Sequence, residues 1–169
     1  MVTIGDVLAI VSVLLGVGVT SWALMVCCGL LFPNRVENAR AVFERHGLLS
    51  IGTGLLTLIP GLIGLVLLSV QLPGVKLIGW TLILAVLAIG ALGAAGLGHL
   101  AGRTLTRMSP DMAPYPAFVR GCAFLVAGSM LPLLGWFAFG PLALLAALGA
   151  GARALALPSA PPRISEVGQ

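Results

Sequence analysis

At 169 residues the chain has the length of a single domain. Hydrophobic residues make up 59% of it and charged residues only 8%, whereas soluble domains carry roughly 25% charged residues. So little charge excludes an ordinary water-facing surface. The formal net charge is +4, and the basic residues lie scattered at the ends of apolar runs, which indicates contact with anionic lipid headgroups rather than nucleic acid.

The first apolar run predicts a membrane helix over residues 4–31, since about 20 helical residues cross a bilayer core. Pro33 ends it. Residues 33–46 are the most polar part of the chain and are predicted to form a short amphipathic helix in the membrane interface, with Gly47 as its C-terminal cap. A plain polar loop is the alternative. The apolar stripe of the amphipathic helix consists of Val36, Ala39 and Phe43.

The next two apolar runs predict helices over residues 48–70 and 75–99. Pro73 and Gly74 mark a tight turn between them, so the two helices form a hairpin. Pro60 lies within the first of them and is expected to kink it. Residues 100–118 carry charges and prolines and are predicted to form a second polar loop.

The last apolar run, residues 119–157, extends to about 60 Å as a helix, twice the roughly 30 Å of a bilayer core. It is either one long, tilted and kinked helix, or two shorter helices joined at residues 135–140 as a re-entrant or hairpin pair. The sequence therefore predicts an all-α, polytopic helical membrane protein over residues 1–157, with about four transmembrane helices and a disordered tail at residues 158–169. The residues that break the last run are Pro132, Gly135, Gly140 and Pro141.

Basic residues predict the orientation, because Lys and Arg accumulate in cytoplasmic loops. Both polar segments are rich in Arg, whereas the N-terminus and the turn between the middle helices hold only Lys76. We expect a bacterial cytoplasmic membrane protein with its N-terminus outside. A hairpin at the end of the chain keeps Arg153 inside, which favours the hairpin over a single crossing. The arginines expected at the cytoplasmic headgroups are Arg35, Arg40, Arg45, Arg103 and Arg107.

Small residues recur every four positions on two of the predicted helices. Such spacing lets helix backbones approach closely, and close packing drives association in lipid. Each ladder packs either against the protein's own helices, which we favour, or against a partner. The ladder of the third helix consists of Gly90, Ala94, Gly98 and Gly102, and that of the last helix of Ala143, Ala147 and Gly151.

No spacing in the sequence predicts a catalytic residue, a metal ligand or a cofactor site. His99, at the end of the third helix, is either a pigment or haem ligand or, as we favour, an interfacial histidine bonded to water or headgroups. Apart from Lys76 at an edge, the interiors of the first three helices lack Asp, Glu, Lys and Arg, which argues against a pump or proton-coupled carrier.

A resemblance adds one expectation. The stretch LFPNRVE at residues 31–37, the amphipathic helix and hairpin after it, and the late stretch LPLLG at residues 131–135 with Gly149, Gly151 and Ala152 resemble a group of bacterial multi-pass proteins of unknown function. In that group a similar membrane region is attached to, or encoded near, bactofilin-like polymer-forming domains. The resemblance covers residues 31–154 and implies no catalytic residues.

These features predict a non-catalytic structural or accessory subunit of a larger bacterial membrane assembly, of respiratory, photosynthetic or scaffold type. It acts through helix–helix packing, and its partners are membrane lipids and other integral membrane subunits. The main alternative is a small passive channel or transporter that uses the broken last run. A membrane-embedded enzyme acting on lipid ranks last.

Overall fold

A computed structural model describes residues 4–70, 72–108, 111–131, 133 and 135–156, and within them the chain forms helices and no strand. The predicted tail at residues 158–169 lies outside the described residues. The helices are α1 (Ile4–Leu31), α2 (Pro33–Ser69), α3 (Pro73–Met108), α4 (Pro114–Ser129) and α5 (Gly140–Ala156), with a π-helical segment, Gly135–Phe139, leading into α5.

Among the described residues, four segments are long and apolar enough to cross a membrane: Gly5–Leu31, Leu49–Ser69, Pro73–Met108 and Gly135–Ala156. Large apolar side chains cover much of their outer surface, such as Leu56 and Leu77, which are 67% and 70% exposed. A contiguous apolar surface of this extent marks contact with lipid or protein rather than water. The chain is an all-α, polytopic membrane protein.

The polar residues 33–46 are the first turns of α2 and do not form a separate interfacial helix. Gly47, predicted to cap such a helix, lies within α2, which continues to Ser69 with Pro60 inside it. A glycine inside a helix costs about 1 kcal/mol. The buried side chains of Val36, Ala39 and Val42 in these first turns offset that cost.

Helix α3 is longer than the predicted 75–99 because its last turns pack against neighbouring helices. Gly102 faces the backbone of Ala117 on α4, and Arg103 lies 3.9 Å from Glu37 on α2. The predicted polar loop at 100–118 therefore belongs largely to α3 and α4, and α4 already begins at Pro114.

The last apolar run forms two helices that run in opposite directions, of which α4 packs mainly against α3 and α5 mainly against α2. With 16 residues, α4 is about 24 Å long, shorter than a bilayer core of about 30 Å. Its end reaches Gly18 of α1, against which Met130 packs; Gly18 lies about 20 Å along α1 from Leu31. Helix α4 ends at Ser129, just before the predicted joint at 135–140.

The chain then returns to the end of the bundle from which α4 started. Arg35, at the start of α2, donates hydrogen bonds to the carbonyls of Ala154 and Leu155 at the end of α5. The first turns of α2, the last turns of α3, the start of α4 and the end of α5 therefore meet at one end of the bundle, here named the polar end. Between α4 and α5 the structure shows a hairpin rather than one kinked helix.

Helix α5 packs against α2 and α3. Helix α1 contacts the rest of the bundle mainly through α3 and α4. The buried core between α2 and α5 is built from small residues, Ala39, Val42, Ala150 and Ala154, with Phe43 against it. Close backbone approach, rather than large apolar side chains, therefore holds the centre of this bundle.

Candidate functional site

The small-residue ladder of α3 faces other helices of the same chain. A Cβ on Gly98 would overlap the Cys122 sulfur on α4, and a Cβ on Gly102 would lie 2.7 Å from the Ala117 carbonyl oxygen. Gly90 faces Leu148 of α5, and Ala94 between them is half-buried. This ladder serves internal packing.

The ladder of α5 is also used internally. Ala147 meets Gly93 of α3 so closely that a Cβ on the glycine would overlap the Ala147 backbone. Gly151 lies in the same way against Ile89, and Ala143 is half-buried. Both predicted ladders thus pack within the chain, where they join α3 to α4 and α3 to α5.

Two contacts between α2 and α5 escaped the sequence reasoning because their glycines do not belong to a long ladder. Gly54 of α2 faces the Leu145 carbonyl of α5, and Gly149 of α5 faces the Ser50 carbonyl of α2. Each glycine lets a neighbouring backbone approach to a distance that a methyl group would block.

The outward side of α1 is open. On its inner side, Trp22 Nε1 donates a 3.1 Å hydrogen bond to the Val119 carbonyl, and Gly29 lies against the Phe118 ring. On its opposite side a row of small residues is exposed along the whole helix, spaced by three and four positions, which the sequence reasoning also missed. This row, here named the α1 outer face, consists of Gly5, Ala9, Ser12, Gly16, Thr20, Ala23 and Cys27.

Charged side chains gather at the polar end around a buried arginine. Arg40 is 8% exposed; its Nη2 lies 2.6 Å from Glu37 Oε1 and its Nε 3.9 Å from Glu44 Oε1. The latter distance is an ion pair but no hydrogen bond, and Arg40 Nε and Nη1 have no hydrogen-bond partner among the described residues. Arg103 joins the cluster through Glu37.

The predicted headgroup arginines therefore fall into two groups. Arg35 and Arg40 bind groups of this chain, the α5 carbonyls and Glu37. Arg45, Arg103 and Arg107 are exposed at the same end of the bundle. Within the exposed group Arg103 pairs with Glu37, whereas Arg45 and Arg107 form no ion pair with another described residue and can reach lipid headgroups without breaking one.

A cavity of about 230 Å³ opens beside this cluster, where the joint of α1 and α2 meets the start of α4. His99 of α3 lines it, with its ring 5.2 Å from the Phe118 ring. The Nδ1 atom of His99 is enclosed and has no hydrogen-bond partner in the described part of the chain. The other lining residues are Gly29, Leu30, Pro33, Val36, Pro114 and Tyr115.

The described residues hold no group of three or more His, Cys, Asp or Glu side chains that could bind a metal ion. Cys27, Cys28 and Cys122 are free thiols, and Cys122 packs in the interface of α3 and α4 as a small apolar residue does. No protein-family model, curated protein or solved structure matches the chain.

Proposed function

We propose that the chain is a non-catalytic structural or accessory subunit of a larger bacterial membrane assembly, attached to its partner through the α1 outer face. The observation that carries this proposal is the position of α1. Only 6% of its most apolar stretch is buried inside the chain, against 11% for each of the next two spans and 33% for the last. One side of α1 contacts the bundle, and the other side is exposed to lipid or to another protein.

The small residues of the α1 outer face favour contact with a protein helix over contact with lipid. Large apolar side chains suffice against lipid tails, whereas small residues at helical spacing let a second helix come close. Gly16 illustrates this, since a Cβ there would meet nothing within 4 Å among the described residues. The internal ladders, by contrast, are already covered.

The same proposal places the polar end in the cytoplasm and the N-terminus outside, in a bacterial inner membrane. The hairpin of α4 and α5 supports this, because it brings the Arg153 end of α5 to the end that also carries Arg45, Arg103 and Arg107. Lys76 lies at the opposite end of α3. Nearly all basic side chains of the described residues then lie on one side of the membrane, as the positive-inside rule predicts.

The proposal is tested by gentle detergent extraction from the native membrane, native gel separation and mass spectrometry of the band that contains this chain. We expect co-migration with larger integral membrane subunits at a fixed ratio. Migration as a monomer or a small homo-oligomer would contradict it. The resemblance to membrane regions found near bactofilin-like domains stays a prediction, and the same gel tests it through the identity of the partner.

A second candidate is a small passive channel or transporter. One observation favours it: α4 has only 16 residues, too few to cross a bilayer core, and the chain returns through a π-helical segment, Gly135–Phe139. Broken helices line many transport sites. Solute flux into proteoliposomes that contain only this chain separates the two candidates, because a purely structural subunit leaves the flux at the level of empty vesicles.

A further inference from the structure

The side chains that line the cavity beside His99 suit an uncharged ligand group. Among the described residues that line it, the polar side chains are those of His99 and Tyr115, and none is an acid, a lysine or an arginine. A buried anion requires a paired cation, and the arginines of the polar end do not line this cavity. Its occupant is therefore a neutral group with one or two polar atoms.

His99 supplies a polar contact on the protein side. Because its Nδ1 atom is enclosed, a molecule in the cavity can reach only Nε2 of the imidazole. The tautomer that carries its proton on Nε2 offers the cavity a hydrogen-bond donor, which a carbonyl oxygen can accept.

The position of the cavity indicates where the occupant comes from. It lies at the end of the bundle, between the last turn of α1 and the first turn of α4, and Leu30 and Tyr115 on its rim are 60% and 52% exposed. In a polytopic protein this is the boundary between hydrocarbon and headgroups. At about 230 Å³ it is smaller than the roughly 300–1,000 Å³ of pockets that enclose whole ligands. It admits a head group whose tail stays in the bilayer.

We propose that this cavity binds a membrane lipid through a carbonyl oxygen that accepts a hydrogen bond from His99 Nε2. Two lipid sources share this chemistry: the ring carbonyl of an isoprenoid quinone and the ester carbonyl of a diacyl lipid. The Phe118 ring holds the imidazole from one side, and Gly29 makes room for Phe118, since a Cβ there would lie 2.5 Å from the ring. The site is independent of the α1 outer face.

The test measures binding of two probes, decylbenzoquinone and dioctanoylglycerol, to the full chain in detergent micelles by equilibrium dialysis. We expect saturable binding of at least one probe at one per chain, and the probe that binds identifies the lipid source. His99→Leu removes the donor and should weaken binding about fivefold to tenfold, the worth of one hydrogen bond. His99→Gln keeps an N–H donor, and Tyr115→Phe keeps the ring, so both should bind within about threefold of wild type.

Absence of saturable binding for both probes would overturn the proposal. So would wild-type affinity in His99→Leu, or a loss in Tyr115→Phe as large as that expected for His99→Leu. If His99→Leu does not fold, nitrogen NMR of the wild-type histidines replaces it: the bound probe should shift the Nε2 resonance of His99, and an unchanged resonance at saturation would count against the site.

Discussion

Gly98 of α3 lies directly against Cys122 of α4, so that a Cβ on the glycine would overlap the cysteine sulfur, while the Cys122 Cα and Cβ stay 3.4 and 3.5 Å away. The steric overlap that a Cβ at position 98 would cause is therefore with one atom, the Cys122 sulfur. The pair fixes how closely α3 and α4 approach.

Gly98→Ala should destabilise the bundle, because an added methyl group in a packed interface costs about 1–3 kcal/mol. Cys122→Ala removes the sulfur, so the double variant Gly98→Ala/Cys122→Ala should recover much of that loss. Detergent unfolding curves of the four proteins in this cycle measure the coupling. Purely additive effects would show that the methyl group added at position 98 does not contact the Cys122 sulfur.

The contact between α2 and α5 should be less tolerant. A Cβ on Gly149 would overlap the Ser50 carbonyl, and a backbone atom cannot be removed by a second substitution. We expect Gly149→Ala to cost at least as much as Gly98→Ala, about 2–3 kcal/mol. Gly47→Ala is the matched control: nothing lies within 4 Å of its Cβ, and it should stabilise α2 by up to about 1 kcal/mol through helix propensity. Equal unfolding midpoints for the two variants would contradict the packing.

Composition and the lengths of the apolar runs, with the Pro and Gly residues that interrupt them, sufficed to predict the fold class, about four spans and a break in the last run. They failed where packing outweighs local signals. Gly47 and the polar residues around it predict a helix end, but burial of Val36 and Ala39 carries α2 straight through. Sequence spacing also revealed the ladders of α3 and α5 without showing what covers them, since small residues look alike in an internal contact and on an open face such as that of α1.

Arg35 should hold the end of α5 in place. Its guanidinium donates to the Ala154 and Leu155 carbonyls in the last turn of α5. Arg35→Gln should speed amide hydrogen exchange in the last two turns of α5 by about tenfold, corresponding to roughly 1.4 kcal/mol of local stability. Arg45→Gln, at an exposed site of the same helix, should leave those amides unchanged. Similar exchange in both variants would remove this role.

The hairpin of α4 and α5 predicts the sidedness of three positions. Reporters that distinguish the two faces of the membrane, inserted at Asp111 and fused after Ala156, should report the same side. A reporter inserted at Gly74, in the turn between α2 and α3, should report the opposite side. Opposite sides for Asp111 and Ala156 would mean that the last apolar run crosses the membrane once, contrary to the structure.

The most direct test of the proposed assembly role is a matched pair of substitutions in the native membrane. Gly16→Leu fills the α1 outer face, and Gly52→Leu places the same side chain at an equally open site on α2, with nothing within 4 Å of either Cβ. Both chains should be expressed and unfold as wild type does. We expect Gly16→Leu alone to lose its partner subunits on native gels. Full retention of the partners by Gly16→Leu, or equal loss in both variants, would contradict attachment through α1.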